Sequence, residues 1–366
     1  MNIRSILLFP IAVLYGIGVS LVKTAYAIGL LKSHSFSIPI ISVGNLSLGG
    51  TGKSPHVEYI LNLLSEQGRL ATLSRGYGRK RKEFLVADDT ATVKDIGDEP
   101  MQFHKKFPDV VVCVHSNRVS AVNKLLSLYP NLKALVLDDA FQHRAIVPGL
   151  NILLTDYNHL FINDYLFPSG KLRDHRAASV RADIIIVTKC PDVLSPIEKR
   201  ILIDKLAPAA HQMVYFSHIK YGDIHPVVEN EASQSLSKDY YFRKHFSVLL
   251  LSGIANASHL VYHIKPYVNE FVHLKFRDHH WFTRKDIARV KKKFSSITDD
   301  KKIIITTEKD LMRLQIPELL KDIMELPLFY IPVSMEFKGN DGKEFERQVI
   351  EYVRRAGPAV FKKKMD

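Results

Sequence analysis

One stretch, IISVGNLSLGGTGKSPHVEYIL at residues 40–61, constrains the fold more than any other. An apolar strand-like run leads into glycines, and these lead into a helical pattern. Gly52-Lys53-Ser54 closes a G-x-x-x-x-G-K-[ST] phosphate loop, although Ser47 stands where that pattern opens with glycine. A loop between a buried strand and a helix start directs backbone N–H groups and the positive end of the helix at phosphate oxygens. Gly49, Gly50, Thr51 and Gly52 are the expected cradle. Lys53 is expected on the β- and γ-phosphates, and Ser54 on Mg²⁺.

Such a loop needs an acidic partner at the end of a neighbouring strand. In ALVLDDAFQH, Ala134–Leu137 form the strand, and Asp138 and Asp139 follow as candidate metal carboxylates. The guanine-reading pattern Asn-Lys-x-Asp has only near-misses, TKCPD (188–192) and TEKD (307–310), so ATP is preferred over GTP. Partition-type ATPases carry a lysine just before the Gly-Gly of the loop, and Leu48 occupies that position.

Around this site, short β-rich runs alternate with helical patterns. The expected strands are 40–43, 70–74, 110–114, 134–137, 152–155 and 184–188, with helices at 56–67, 119–128 and 196–206. A second alternation begins at 246–256 and ends at 302–310 and 328–337. The expected fold is α/β: a P-loop NTPase-like parallel sheet core, a second smaller α/β lobe and an N-terminal membrane-associated helix. The expected divisions are 1–32 for that helix, 33–211 for the nucleotide lobe, 212–240 for a β-hairpin linker turning at Tyr221-Gly222-Asp223, and 241–366 for the second lobe.

The N-terminal run Ile6–Val22 has no charge and would span about 25 Å as a helix, slightly short of a hydrocarbon core. A secretory signal ending at Ala25-Tyr26-Ala27, a spanning helix, a helix seated in one leaflet and an ordinary core helix all fit parts of it. Export would carry a nucleotide site away from ATP, which favours an uncleaved membrane-seated helix. The formal charge of +13 suits anionic partners, whether nucleic acid, membrane or phosphorylated substrate. No recognition-helix or base-stacking signature accompanies it, so nucleic acid is not expected. Nothing demands an obligate protein partner. Cys113 and Cys190, the only cysteines, are expected as buried free thiols rather than a disulfide or zinc site.

Further segments are not those of a generic ATPase: SRGYGR (74–79), DIGDEP (95–100), NR (117–118), PSGKLRD (168–174), RDHHWFT (277–283) and TTEKD (306–310). Together with the apolar N-terminus and GNLSLGGTGKSP, they resemble the tetraacyldisaccharide 4′-kinases of Gram-negative bacteria over nearly the whole chain. That family also tends to lack the first loop glycine. The resemblance implies two α/β/α lobes joined by a β linker at the cytoplasmic face of the inner membrane. It also implies γ-phosphate transfer from MgATP to the 4′-hydroxyl of an acylated glucosamine disaccharide 1-phosphate. Asp98 is the family-matched base beside Glu99, and its imidazole partner is His279 or His280, with His279 favoured. Arg75, Arg118 and Arg173, with Arg79, are implied for substrate phosphate or transition-state charge, and Tyr77 for the sugar pocket. Glu308-Lys309-Asp310 would help close the nucleotide cleft. The basic clusters Lys291–Lys293, Arg354-Arg355 and Lys362–Lys364 are expected mainly as solvated faces. The competing class is a membrane-associated regulatory or partition-type ATPase.

Overall fold

The structure, a computed structural model, describes residues 3–79, 82–228 and 238–355. The strands of the first lobe are β1 (Ile40–Asn45), β2 (Leu70–Ser74), β3 (Leu85–Val86), β4 (Val111–Val114), β5 (Ala134–Asp138), β6 (Leu150–Asp156), β7 (Ile184–Thr188) and β8 (Met213–Tyr221). They are followed by β9 (His225–Pro226), β10 (Ser247–Ser252), β11 (Phe271–Lys275), β12 (Lys302–Thr307), β13 (Leu328–Ile331) and β14 (Val333–Phe337). Nine strands form one sheet in the order β14-β8-β7-β6-β1-β5-β2-β4-β3, parallel except at its two ends. Five form the other, β11-β10-β12-β13-β9, parallel except for β9.

The central strands β1, β2, β5 and β7 are buried at every residue, as a parallel sheet covered on both faces requires. On one face Val57, Ile60, Leu61 and Leu64 of the helix Lys53–Leu64 pack with Phe345 and Val349 of the helix Asp341–Arg355. The second sheet has its own cores on both faces. An apolar seam joins the lobes, with Ile96, Met101 and Val114 meeting Leu311 and Met312.

The linker differs from the expected hairpin. β8 does not pair with β9; it extends the first sheet between β7 and β14, while β9 joins β13 in the second. The chain passes between sheets at Gly222 and again at Pro332, and the N–H of Gly222 donates to the carbonyl of Pro332 at 3.0 Å. Pro332 divides the run 328–337 into two strands because it has no N–H to continue a ladder. From Val333 onward the chain belongs to the first sheet, so the second-lobe boundary expected at 241–366 is too long. Residues 229–237 of the expected linker, and Lys362–Lys364, lie outside the described residues.

The N-terminal helix Phe9–Ala27 is long and apolar enough to cross a membrane by length and composition, and Leu7, Leu14 and Leu21 are largely exposed. It docks along one side. The Tyr15 hydroxyl donates to the Arg173 carbonyl at 2.9 Å, and Ser20 Oγ lies 2.9 Å from His175 Nε2. Gly16 permits that approach, since a Cβ there would stand 2.8 Å from a Leu166 methyl. Cys113 and Cys190 are both free and buried.

Candidate active site

The phosphate loop runs from the end of β1 to the helix Lys53–Leu64, whose N-cap Gly52 has φ +87°. That left-handed turn is open to glycine at no steric cost. The front of the loop explains Ser47. It makes an antiparallel bridge with Leu172, and the N–H of Leu48 donates to the Lys171 carbonyl at 2.7 Å. Ser47 is thus held by the PSGKLRD segment in a short strand pair, where no glycine is needed. At the back, the Thr188 hydroxyl donates to the Thr51 carbonyl at 2.9 Å, and the Lys189 ammonium to the Gly50 carbonyl. His56 lies beneath, with Nδ1 2.7 Å from the Gly52 carbonyl and Nε2 3.0 Å from the Ser217 hydroxyl. Burial lowers its pKa to about 4, so the neutral ring donates to Gly52 and accepts from Ser217.

Lys53 and Ser54 face acidic groups. Lys53 Nζ is 3.5 Å from Asn45 Oδ1 and 3.7 Å from Asp139 Oδ1. The Ser54 hydroxyl donates to Glu99 at 2.9 Å, and Lys309 of the second lobe donates to the same carboxylate. Glu99 therefore faces the phosphate end of the cleft, beside Ser54 and Lys309. Burial opposes its ionisation, but the Lys309 and Lys53 charges outweigh burial and hold its pKa low.

The two carboxylates after β5 have different surroundings. Asp138 is buried, accepts from Ser74 at 3.2 Å and keeps Oδ1 without a partner among the described residues. Burial, then the charges of Glu99 and Asp139, push its pKa up to about 7. Asp139 is gripped by Arg173 through both oxygens, at 2.8 and 2.9 Å. Burial would raise its pKa, yet Lys53 and Arg173 hold it well below the ordinary range. Of the expected metal carboxylates, Asp138 has the open oxygen and Asp139 is already neutralised. No cluster of three metal-ligating side chains occurs among the described residues, so a cation here would need phosphate oxygens beside Ser54 and Asp138.

Two expected substrate arginines are committed elsewhere. Arg118 is buried and donates to the backbone carbonyls of Asp138, at 2.7 Å, and Asp139, at 3.1 Å. Arg173 also donates to the Asn45 carbonyl at 3.0 Å. Both hold the carboxylate-bearing turn, Arg118 buried and Arg173 partly exposed. Arg79 is spent on the carbonyls of Lys82 and Glu83. Arg75 is exposed and remains open to a ligand. Tyr77 is 72% exposed, with its ring 5.1 Å from that of His279. Gly97 brings this loop close, because a Cβ there would meet the Tyr77 carbonyl at 3.1 Å.

Across the cleft, His279 Nδ1 lies 2.9 Å from Asp98 Oδ2. His280 turns away: Nε2 is 3.1 Å from Asp286, at the cap of the helix Arg284–Ser295, and its ring stacks on Phe276 at 4.6 Å. His280 is thus a packing and capping residue in this geometry. Burial would raise the pKa of Asp98, but the His279 hydrogen bond and the Lys309 and Arg313 charges bring it down to about 2. The bond to Asp98 raises His279.

Sequence reasoning passed over what holds His279. The Asp310 carboxylate accepts from the N–H of Gly253 and from the Thr307 hydroxyl, and pairs with Arg313 at 2.9 Å. Arg313 donates to the carbonyls of Gly253 and His280 and sits 3.7 Å from Asp98. TTEKD signals the first of these; Arg313 follows one helical turn later with no motif of its own. Asn45, Thr188 and Lys189 were also missed, and only their position at strand ends marks them.

A phosphate loop on one lobe faces an ion-paired carboxylate and imidazole shared with the other, which defines a P-loop phosphotransferase. Residues 4–354 match the family model "Tetraacyldisaccharide-1-P 4'-kinase". Tetraacyldisaccharide 4′-kinase of Flavobacterium psychrophilum is 43% identical over 355 residues, covering 96% of this chain and 98% of the relative. That of Parabacteroides distasonis is 42% identical, covering 95% and 94%. The solved "apo" form of LpxK from Aquifex aeolicus in complex with ATP matches with TM-score 0.69 and 25% identity, covering 96% of this chain and 99% of that one. The chain belongs to the tetraacyldisaccharide 4′-kinase family.

Proposed function

We propose that the chain transfers the γ-phosphate of MgATP to the 4′-hydroxyl of a tetraacyldisaccharide 1-phosphate, at the cytoplasmic face of the inner membrane. The observation that carries this reading is the Asp98–His279 pair facing Lys53 and Ser54 across one cleft. ATP as donor is supported by the ATP complex of the Aquifex aeolicus relative. Lys53, Lys309 and the loop N–H groups neutralise the polyphosphate, with Lys309 arriving from the second lobe.

The donor set suits Mg²⁺: Ser54 offers a hydroxyl, and Asp138 an unpartnered buried carboxylate oxygen. Bound there, the ion would supply charge neutralisation on the β- and γ-phosphates. Asp98 stays ionised near neutral pH and fixes the His279 tautomer through Nδ1. Nε2 is left to take the proton as the acceptor oxygen attacks phosphorus. The hydroxyl loses its proton to the dyad, a P–O bond forms to the sugar, and the bond to ADP breaks. Tyr77 and Arg75, exposed beside the dyad, contact sugar and phosphate of the acceptor. The exposed apolar face of Phe9–Ala27 supports a membrane seat for an acylated substrate.

Purified protein, ATP and the acceptor disaccharide in mixed micelles should yield a product heavier by one phosphate. ATP hydrolysis with an unchanged acceptor would favour the regulatory ATPase reading instead.

A further inference from the structure

Three helix starts meet at the phosphate cleft, and a buried ion cluster joins the same helices behind it. Ser54 opens the helix Lys53–Leu64, Asp98 and Glu99 open the helix Asp98–Lys106, and Lys309 lies in the first turn of the helix Glu308–Leu314. Spacing of four residues puts Glu58 on the side of Ser54, and Gln102 and Lys106 on the side of Asp98. Lys106 Nζ lies 2.9 Å from Glu58 Oε2 and 2.7 Å from Glu308 Oε1, so one ammonium ties two helices of the first lobe to one of the second. The other carboxylate oxygens are also engaged. Gln102 donates to Glu58 Oε1 at 2.6 Å, and the N–H of Val333, just past the Pro332 crossing, donates to Glu308 Oε2 at 3.1 Å. Glu58 and Glu308 are buried, and burial pushes the Glu58 pKa up to about 7 against the pull of the Lys106 charge.

Stability alone is a poor reason for this cluster. One ammonium shared by two buried carboxylates gains little over well-packed apolar groups of similar volume. An apolar seam already joins the lobes, through Ile96, Met101, Leu311 and Met312. What a charged bridge adds is direction. Two carboxylates held at hydrogen-bond distance from one Nζ fix the helix Glu308–Leu314 in rotation and height against the helix Asp98–Lys106. That register decides where Lys309, the residue after Glu308, delivers its ammonium; it reaches Glu99, which also accepts from Ser54. Lys106 itself does not line the phosphate cleft. We propose that Lys106 is a positioning residue for phosphate transfer, acting from behind the cleft by holding Lys309 in register with Ser54 and Glu99. The proposal rests on the phosphotransferase reading above and adds to it a required group that touches neither ATP nor acceptor.

The test is a double-mutant cycle between Lys106→Gln and Lys309→Met, read as phosphate transfer to the acceptor disaccharide by the full chain. The Lys106 side chain is 30% exposed, so water can replace the lost ammonium and the variant should fold. Its kcat should fall about tenfold to a hundredfold, as for reacting groups displaced by about 1 Å, with the acceptor KM within about twofold of wild type. In the Lys309→Met background the same substitution should cost less than about twofold, because the group it positions is gone. Glu308→Gln cuts the second-lobe arm while keeping an acceptor for the Val333 N–H, and should show the same dependence on Lys309. It carries the test if Lys106→Gln does not fold. A folded variant with wild-type kcat, or a loss of equal size with and without Lys309, overturns the proposal and leaves Lys106 a structural ion pair. Wild-type protein that left the acceptor unphosphorylated would instead remove the kinase reading itself.

Discussion

His279 of the second lobe and Asp98 of the first share a hydrogen bond of 2.9 Å, so the acid–base pair exists only while the lobes are together. With Asp98 down near 2 and His279 raised, the carboxylate is ionised and the imidazole holds its proton more tightly than a free histidine. If neutral His279 is the working base, the acid limb of kcat reports its titration. Asp98→Asn removes the partner that raises His279, so that limb should move to lower pH, with kcat falling about 10²–10⁴-fold. A pH–rate profile in the variant with an unmoved limb would assign the limb to another group.

Arg313 should act on the dyad without touching ATP. Itself buried, it joins the buried Asp310, the carbonyls of Gly253 and His280, and the edge of the buried Asp98. Removing one partner of such a buried pair costs about 3–5 kcal/mol of stability. Arg313→Lys keeps the charge but not the fork, and should lower kcat while leaving the KM for ATP within about twofold. An equal change in both parameters would show a general loss of cleft structure.

Arg118→Ala tests whether that residue supports the fold or binds substrate. Its guanidinium satisfies two buried backbone carbonyls, at Asp138 and Asp139, and their loss should cost about 1–3 kcal/mol in a denaturation experiment. A rise confined to the acceptor KM, with stability unchanged, would restore the substrate role suggested by its motif.

His56 links stability to pH. Its folded pKa of about 4 lies below the ordinary 6.5, so below 6.5 the unfolded chain binds a proton that the folded chain refuses. The neutral ring's contribution is complete above 6.5 and is lost progressively as pH falls toward 4, about 3 kcal/mol in all. His56→Gln should be less stable at pH 7 but should lack this part of the acid slope. A variant with the wild-type slope would place the responsible proton elsewhere.

The N-terminal helix is expected to carry the membrane affinity. Leu14 and Leu21 are about two-thirds exposed, at 67% and 66%. Leu14→Asp with Leu21→Asp should reduce sedimentation with anionic lipid vesicles while leaving ATP binding unchanged. Undiminished sedimentation would shift the contact to the basic faces.

What could be read in advance divides along physical lines. β2 and β7 coincide with the apolar runs that announced them, because a strand buried on both faces writes itself as a continuous hydrophobic stretch. The positions of Gly52-Lys53-Ser54, at a helix start after β1, and of Asp138-Asp139, at the end of β5, were legible because a strand–loop–helix and a strand ending in carboxylates leave clear sequence patterns. The linker was not, since β8 and β14 are neighbours in space and more than a hundred residues apart in sequence. Arg118 and Arg173 lie in motifs that suggest phosphate contacts, and the structure pairs them with backbone carbonyls and a carboxylate: a guanidinium that grips phosphate also suits these groups, and sequence does not separate the two. The choice between His279 and His280 likewise rests on adjacent side chains pointing to opposite sides, one to Asp98 and one to Asp286.

The central claim is that phosphate moves from ATP to a lipid-sugar hydroxyl through the pair shared between lobes. Label transfer from γ-³²P-ATP to tetraacyldisaccharide 1-phosphate, measured in a double-mutant cycle of Asp98→Asn and His279→Gln, tests it most directly. The account expects label at the 4′ position with wild type, a comparable loss in each single variant, and little further loss in the double variant. Labelled inorganic phosphate with no labelled acceptor, or losses that simply multiply, would contradict it.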